Sequence, residues 1–191
     1  MASAHLYLGE PGCGKSYLIR KHARALSAGG RRLFIVDHDG GWEGPEYESV
    51  TDWIEGGAPG VARFVGLPAA TVARLAIAIG DCTYVDDECD GILTDVGWKT
   101  SPLREIVKRG RHLRNAAGEL REVHAMLATH RAANLPTDVV GLAASVYLGR
   151  LRSAADAERI YREGWIPEAR SPAEIQAALT AFPVGHFRKC R

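Results

Sequence analysis

Residues 9–16 read Gly-Glu-Pro-Gly-Cys-Gly-Lys-Ser and match the phosphate-binding loop pattern G-x-x-x-x-G-K-[ST] at every fixed position. In this motif, backbone N–H groups surround nucleotide phosphates, and glycines permit the close approach and the positive φ values required. Lys15 is therefore predicted to reach the β- and γ-phosphates, and the Ser16 hydroxyl to ligate Mg²⁺. The residues predicted to contact the nucleotide are Gly9, Pro11, Gly12, Cys13, Gly14, Lys15, Ser16 and Tyr17.

A mostly apolar segment at 82–88 ends in consecutive carboxylates, which a phosphate-binding loop needs for metal binding and catalysis. We assign Asp87 to the Mg²⁺ shell and Glu88 to the polarisation of an attacking water. A register shifted by one residue would instead make Asp86 the metal ligand and Asp87 the base. An acidic loop without a catalytic role is the remaining interpretation.

Two further segments carry polar residues that suit chemistry on a phosphate. The basic cluster at 107–114 is either a solvated helix face, a contact to a phosphodiester backbone, or the source of an arginine acting on a neighbouring subunit's γ-phosphate. The apolar segment at 123–129 is followed by His130, which would lie near the γ-phosphate because parallel strands present their carboxyl ends to the ligand crevice. His130 either senses that phosphate or simply caps the strand.

Apolar segments alternate with amphipathic segments along the chain, which predicts an α/β fold with a mainly parallel central sheet flanked by helices on both faces. With the phosphate-binding loop, the sequence predicts a single domain over 1–191 that is similar to P-loop NTPases of the RecA/ASCE-like type. The predicted strands cover 4–8, 33–36, 62–65, 83–87, 124–129 and 145–148. The predicted helices cover 16–28, 68–79, 102–113, 154–161 and 172–179.

The bulk composition is that of an ordinary globular protein, with 191 residues, 46% hydrophobic residues and a net charge of +1. This charge excludes strong overall attraction to nucleic acid but allows a local basic patch. The four cysteines lack C-x-x-C spacing, and neither a secretory signal nor an apolar stretch of membrane-spanning length is recognisable. We expect a cytoplasmic protein.

Residues 9 to about 160, including the acidic strand end near 85–93, resemble the FtsK/HerA superfamily of DNA-pumping ATPases. In that family a Gly-Arg element precedes a strand ending in Ala-Thr-Gln-Arg-Pro, and an arginine-containing strand end and an Asp-rich turn follow. This chain has Gly-Arg at 110–111, Ala-Thr-His-Arg at 128–131, Leu-Gly-Arg-Leu at 148–151 and an acidic turn near 156–160. Its size is similar to that of the compact genome-packaging ATPases of tailless, membrane-containing viruses.

The resemblance implies an ATP-driven translocase of double-stranded DNA that uses ATP and Mg²⁺ at the subunit interfaces of a homo-oligomeric ring, pentameric or hexameric. It implies catalytic roles for Lys15, Glu88, Arg111 and His130, with Arg111 acting in trans. A capsid or membrane protein is a possible partner, with a location in the host cytoplasm or the virion. Residues 39–45 and 90–99, the latter with Trp98 and Lys99, are candidate pore loops, where basic side chains would bind DNA phosphates.

Departures from the family pattern leave specific points open. His130 replaces the family's Gln, and Ala132 replaces the proline. An insertion at 115–122 separates Arg111 from its strand, so that Arg109 or Arg114 are alternatives for the arginine acting in trans.

Two other functions fit parts of the same sequence. A small-molecule P-loop kinase would have a similar size, and a nucleotide-switched assembly protein would bind ATP without appreciable turnover. The arginines that would form the kinase's lid are Arg150, Arg152, Arg159 and Arg162.

Overall fold

The structure is a computed structural model that describes residues 4–93 and 95–190. The strands in these residues are β1 Ala4–Leu8, β2 Arg32–Asp37, β3 Glu46–Tyr47, β4 Val61–Val65, β5 Cys82–Asp86, β6 Leu113–Arg114, β7 Leu120–Arg121, β8 Val123–Thr129, β9 Ala143–Leu148 and β10 Arg188–Cys190. The α-helices are α1 Lys15–Ala28, α2 Val50–Glu55, α3 Ala69–Ile79, α4 Asp95–Thr100, α5 Pro102–Arg109, α6 Thr137–Leu142, α7 Ala154–Arg162 and α8 Pro172–Thr180. No helix of the described residues is long and apolar enough to span a membrane.

Eight strands form one sheet in the order β10-β9-β1-β8-β5-β2-β4-β3. All neighbouring pairs are parallel except β10 and β9, which are antiparallel. The short strands β6 and β7 form a separate antiparallel hairpin. The predicted α/β class with a mainly parallel sheet is therefore confirmed, and the central strands β1, β8 and β5 end side by side at one edge, where parallel sheets bind ligands.

The two faces of the sheet are covered unequally. Ile19 and Ala23 of α1 pack with Ile35 and Met126 on one face. The buried apolar residues of α2, α3, α5, α6, α7 and α8 belong to the cluster on the opposite face. The right-handed crossover rule accounts for this division, because the β1–β2 and β2–β3 connections run in one direction across the sheet and the later parallel connections return in the other.

Sequence patterns located the long elements and missed the short ones. The helix predicted over 102–113 ends at Arg109, because the chain leaves the helix at Gly110 and continues into the β6–β7 hairpin. The strand predicted over 83–87 ends one residue earlier, at Asp86. Elements of two to six residues, such as β3 and α2, carry too few residues for a periodic signal.

Candidate nucleotide-binding site

The loop between β1 and α1 has the backbone conformation that its glycines permit. Gly12 and Gly14 have φ values of 73° and 100°, which other residues rarely adopt. Gly14 is the N-cap of α1, and no side chain caps the helix or places a carboxylate in its first turn. The amide groups and the positive end of the helix dipole are therefore left for an anionic ligand.

Lys15 lies across this loop. It is only 4% exposed, and its ammonium donates to the carbonyl oxygens of Gly9 (2.7 Å) and Glu10 (3.1 Å) and to His130 Nδ1 (2.8 Å). Burial lowers the pKa of Lys15, while Cys13 and the nearby carboxylates act in the opposite direction. A buried ammonium held by carbonyl oxygens gains a stronger partner when phosphate oxygens enter, because charge-assisted hydrogen bonds are stronger than neutral ones.

A cavity of about 400 Å³ opens above the loop. It is lined by Pro11, Gly12, Gly14, Lys15, Ser16, Tyr17, Asp39, Asp87, Glu88 and His130. All of these except Asp39 are residues that the sequence assigned to the site. They come from the loop after β1, from the first turn of α1 and from the ends of β2, β5 and β8. The fold therefore gathers into one cavity residues that are up to 119 positions apart, Pro11 and His130 being the extremes.

Of the three consecutive carboxylates at the end of β5, one is buried and two reach the cavity. Asp86 is fully buried, and it accepts hydrogen bonds from the Tyr84 hydroxyl (2.9 Å) and the Glu88 amide (3.1 Å). His38 Nε2 lies 3.0 Å from Asp86, and this hydrogen bond raises the pKa of His38. Asp86 is thus a structural group, whereas Asp87 and Glu88 line the cavity.

Asp87 has two partners that sequence reasoning missed. Trp42 Nε1 donates to its Oδ2 at 3.2 Å, and Arg20 Nη2 lies 3.8 Å from the same oxygen. Burial raises the pKa of Asp87, while Arg20 and Trp42 act to lower it. Arg20 follows Ser16 by four positions and therefore lies on the same face of α1, a spacing that could have identified it.

His130 is positioned by Asp90. The carboxylate of Asp90 accepts hydrogen bonds from the Thr129 hydroxyl and from the His130 amide, the latter at 3.2 Å. Because the Lys15 ammonium donates to Nδ1, the ring proton of a neutral His130 is on Nε2. His130 lines the cavity and therefore has one N–H available as a donor.

The predicted ligand residues Gly9 and Cys13 do not line the cavity. Cys13 is 1% exposed. Its Sγ would be 2.5 Å from a Cβ added to Gly9 and 3.1 Å from a Cβ added to Gly149, so it packs closely against both glycines. Its amide donates to the Glu10 carbonyl oxygen at 3.2 Å. Both residues therefore pack within the loop and do not face the cavity.

Ion pairs attach the loop to the strand next to β1. The Glu10 carboxylate pairs with Arg150 and, at 3.4 Å, with Arg152, both of which follow β9. Two of the arginines considered for a kinase lid are therefore bound to the loop itself. The other two, Arg159 and Arg162, pair with glutamates one turn away on α7 or at its end.

Arg111 is far from the cavity of its own chain. It pairs with Glu122 at 3.5 Å, and Glu122 immediately precedes β8. His130 follows the other end of the same strand, so Arg111 and the cavity lie at opposite edges of the sheet. Arg109 and Arg114 are also outside the cavity, the first paired with Glu105 and the second bound to the Gly118 carbonyl oxygen.

Parts of both candidate pore loops are buried or line the nucleotide cavity. Asp39 lines the nucleotide cavity, and Trp42 is 7% exposed and bound to Asp87. In the second loop, Thr94 lies outside the described residues, and the segment from Asp95 to Thr100 is helix α4. Trp98 is 3% exposed and belongs to the hydrophobic core, whereas Lys99 beside it is exposed.

Comparison with known proteins gives structural matches only. No family model and no curated protein matches this sequence. The genome packaging NTPase B204 from Sulfolobus turreted icosahedral virus 2, in complex with AMP, is similar over 98% of this chain and 92% of its own, with 19% identity and a TM-score of 0.72. Its complex with ATP-gammaS is similar over 97% and 90%, with 19% identity and the same TM-score.

A third solved structure extends the comparison beyond viral proteins. The pCW3 conjugation coupling protein TcpA with ATPgS is similar over 85% of this chain and 54% of its own, with 17% identity and a TM-score of 0.53. At these identities the matches show the fold, which is that of the P-loop NTPases. The architecture expected from the resemblance stated above is therefore confirmed.

Proposed function

We propose that this protein is an ATPase that drives double-stranded DNA through a homo-oligomeric ring, as a viral genome-packaging motor. One observation carries the proposal: a single cavity contains the phosphate-binding loop, Lys15, the acidic pair Asp87–Glu88 and His130. A general nucleotide-binding site needs only the loop. The addition of a cavity-lining glutamate and a polar sensor is the composition required for hydrolysis.

Each residue that lines the cavity has a separate role in the proposed hydrolysis. Glu88 polarises a water for in-line attack on the γ-phosphate, and Lys15 offsets the charge that develops on the transferred group. Ser16 and Asp87 would hold Mg²⁺, which supplies further charge neutralisation at the β- and γ-phosphate oxygens. His130 donates from Nε2 to the γ-phosphate or to the water. Release of that contact after hydrolysis would be transmitted through Asp90 to the end of β8.

Ring assembly is supported by the position of Arg111. A guanidinium at the edge of the sheet opposite its own cavity contributes to hydrolysis only from a neighbouring subunit. Coupling to DNA is supported by the similar fold of a genome packaging NTPase that covers nearly the whole chain. The net charge of +1 gives an isolated subunit little attraction to DNA, so we expect DNA binding to require assembly.

Steady-state ATP hydrolysis with and without double-stranded DNA tests this proposal. We expect hydrolysis by the wild type to rise when DNA is added, and Glu88→Gln to lose hydrolysis under both conditions while still binding ATP. Glu55→Gln is the matched control, because Glu55 is exposed on α2 and absent from the cavity. It should behave as the wild type.

The other outcomes separate the alternatives. Hydrolysis that ignores DNA would contradict the translocase. Binding of ATP with negligible turnover would favour a nucleotide-switched assembly protein. Consumption of ATP only with a nucleoside or metabolite that becomes phosphorylated would favour a kinase.

A further inference from the structure

The face of the sheet beneath α1 is less covered than the opposite face, and its covering helix is basic. Among the described helices, α1 is the one whose buried apolar residues pack on this face. Its sequence contains five basic residues and no Asp or Glu, the basic ones being Lys15, Arg20, Lys21, His22 and Arg24. Lys15 and Arg20 contact groups of the nucleotide site, whereas Lys21 is exposed on the outer side of the helix.

A second cavity, of about 310 Å³, opens beside α1 over β1, β8 and β9. The Tyr7 and Tyr147 rings are stacked in it with their centres 4.9 Å apart, and the Tyr7 hydroxyl lies 2.7 Å from His22 Nδ1. Outside the lining, the Glu122 carboxylate is paired with His124 at 3.0 Å. The described residues that line the cavity include no carboxylate and none of those that line the nucleotide cavity: His5, Tyr7, His22, Ala25, Leu26, Met126 and Tyr147.

Positive charge accumulates around this second cavity. Lys189, which is exposed on β10, places its Nζ 5.9 Å from the centre of the Tyr147 ring. Burial lowers the pKa of His22, and the charges of Lys21 and Lys189 lower it further. The pKa of His5 is also lowered by burial and by its basic neighbours, Lys189 among them. Both lysines thus act on one cavity whose described lining is without acidic groups, and an anionic ligand would offset their charge.

The groups around the second cavity suit a phosphodiester backbone. Lysine ammonium groups bind phosphate oxygens without regard to base sequence. When the Tyr7 hydroxyl donates to Nδ1, a neutral His22 retains an N–H on Nε2 as a further donor. Leu26, 38% exposed, and the ring of Tyr147 provide apolar surface against which a deoxyribose can pack.

We propose that the basic surface formed by Lys21, Lys189 and the second cavity is the contact of each subunit with the DNA backbone. It rests on the DNA translocation proposed above and adds the surface that binds the DNA. The candidate pore loops at 39–45 and 90–99 contain a single basic residue, Lys99, and so provide little of the charge that phosphates attract. Each subunit contributes few phosphate contacts, so strong binding requires several subunits on one DNA molecule.

The salt dependence of DNA binding tests the basic surface. Binding of the assembled protein to a fluorescent DNA duplex is measured by anisotropy over a range of salt concentrations, with a non-hydrolysable ATP analogue present. Loss of one phosphate contact lowers the slope of log K against log salt by about 1. We therefore expect Lys21→Gln and Lys189→Gln each to lower the slope by at least about 1, and the double variant by at least about 2.

Matched variants keep charge and position apart. Lys21→Arg and Lys189→Arg retain the charge and should retain the slope. Arg74→Gln removes an exposed cation from α3, whose buried residues pack on the opposite face, and should change neither affinity nor slope. Thermal unfolding verifies that each variant is folded, and light scattering that it assembles.

Each remaining outcome overturns a different statement. An unchanged slope in the double variant would overturn the basic surface, and a lower slope in Lys99→Gln instead would assign the contact to the loop at 90–99. Loss of assembly in the folded double variant would overturn it as well, in favour of a contact between copies of this chain. Failure of the assembled wild type to bind DNA would contradict the proposed function itself.

Discussion

Replacement of Arg111 tests whether the proposed hydrolysis is shared between subunits. Arg111→Ala should reduce ATP hydrolysis by about a thousandfold or more, as expected for an arginine that stabilises charge on the transferring phosphoryl group. ATP binding should remain, because Arg111 lies outside the cavity. The variant should also remain folded, since the Arg111–Glu122 pair is 38% and 39% exposed and such pairs contribute at most about 1 kcal/mol.

The geometry excludes action within one chain. Arg111 pairs with Glu122 before the first residue of β8, and His130 follows the last. A strand of seven residues at about 3.3 Å per residue separates the two by roughly 20 Å. This is several times the length of an arginine side chain. Any effect of Arg111 on hydrolysis therefore requires a second subunit.

The assay mixes two inactive proteins. Lys15→Ala cannot hydrolyse ATP in its own cavity but retains Arg111, and Arg111→Ala retains an intact cavity. With random mixing at equal amounts, roughly a quarter of the interfaces combine the intact cavity of one variant with the arginine of the other in a head-to-tail ring. We expect hydrolysis to recover toward that fraction, with a maximum near equal proportions.

Matched arginine variants and an assembly control complete the test. Arg109→Ala and Arg114→Ala remove exposed guanidinium groups from the same basic cluster and should retain hydrolysis. Light scattering verifies that both inactive variants join rings with the wild type. If they do and no mixture recovers activity, Arg111 does not act across an interface. Recovery seen instead with Arg109→Ala or Arg114→Ala would assign the role to that residue.

Two further predictions concern the loop and the buried carboxylate behind it. Gly14→Ala should destabilise the fold by about 1–3 kcal/mol and abolish tripolyphosphate binding, because Gly14 has φ 100° and its new Cβ would lie 3.2 Å from the Gly185 backbone. Thermal unfolding measures the stability and calorimetry the binding. Gly60→Ala is the control, because a Cβ on Gly60 would have no atom within 4 Å. His38→Ala should lower the free energy of unfolding by about 1 kcal/mol at pH 5.5 and by less at pH 8.5. The pKa of His38 is raised in the folded protein, so its charged form stabilises the fold fully below the unfolded-state pKa of about 6.5. This stabilisation is lost as the pH rises through the folded-state pKa. Urea unfolding of both proteins at the two pH values measures it, and an equal cost at both would contradict a charged His38–Asp86 pair.

The sequence determined the class of fold and most of the cavity. A phosphate-binding loop between a strand and a helix is a local feature, because each part of it is encoded by adjacent residues. The rule that parallel strands present their carboxyl ends at one edge was enough to place Glu88 and His130 near Lys15. Long buried strands could be predicted because continuous apolar residues have few other stable environments.

Tertiary structure alone decided which groups surround the reactive residues. Trp42 contacts Asp87, and Arg150 contacts Glu10, across separations of 45 and 140 positions that leave no local pattern. The assignment of Asp86 as the buried carboxylate depended on where β5 ends and which side chains pack behind it.

The same limit applies to the positions of Arg111 and of the segment at 183–187. The sequence identified Arg111 and Tyr17 as candidate site residues. It did not predict that Arg111 lies at the far edge of the sheet, or that residues 183–187 return to the loop beside Gly14. Short-range periodicity specifies which face of an element is buried. Which distant segment covers that face is decided by the packing of the whole chain, because the free energy of burial depends on area and not on sequence separation.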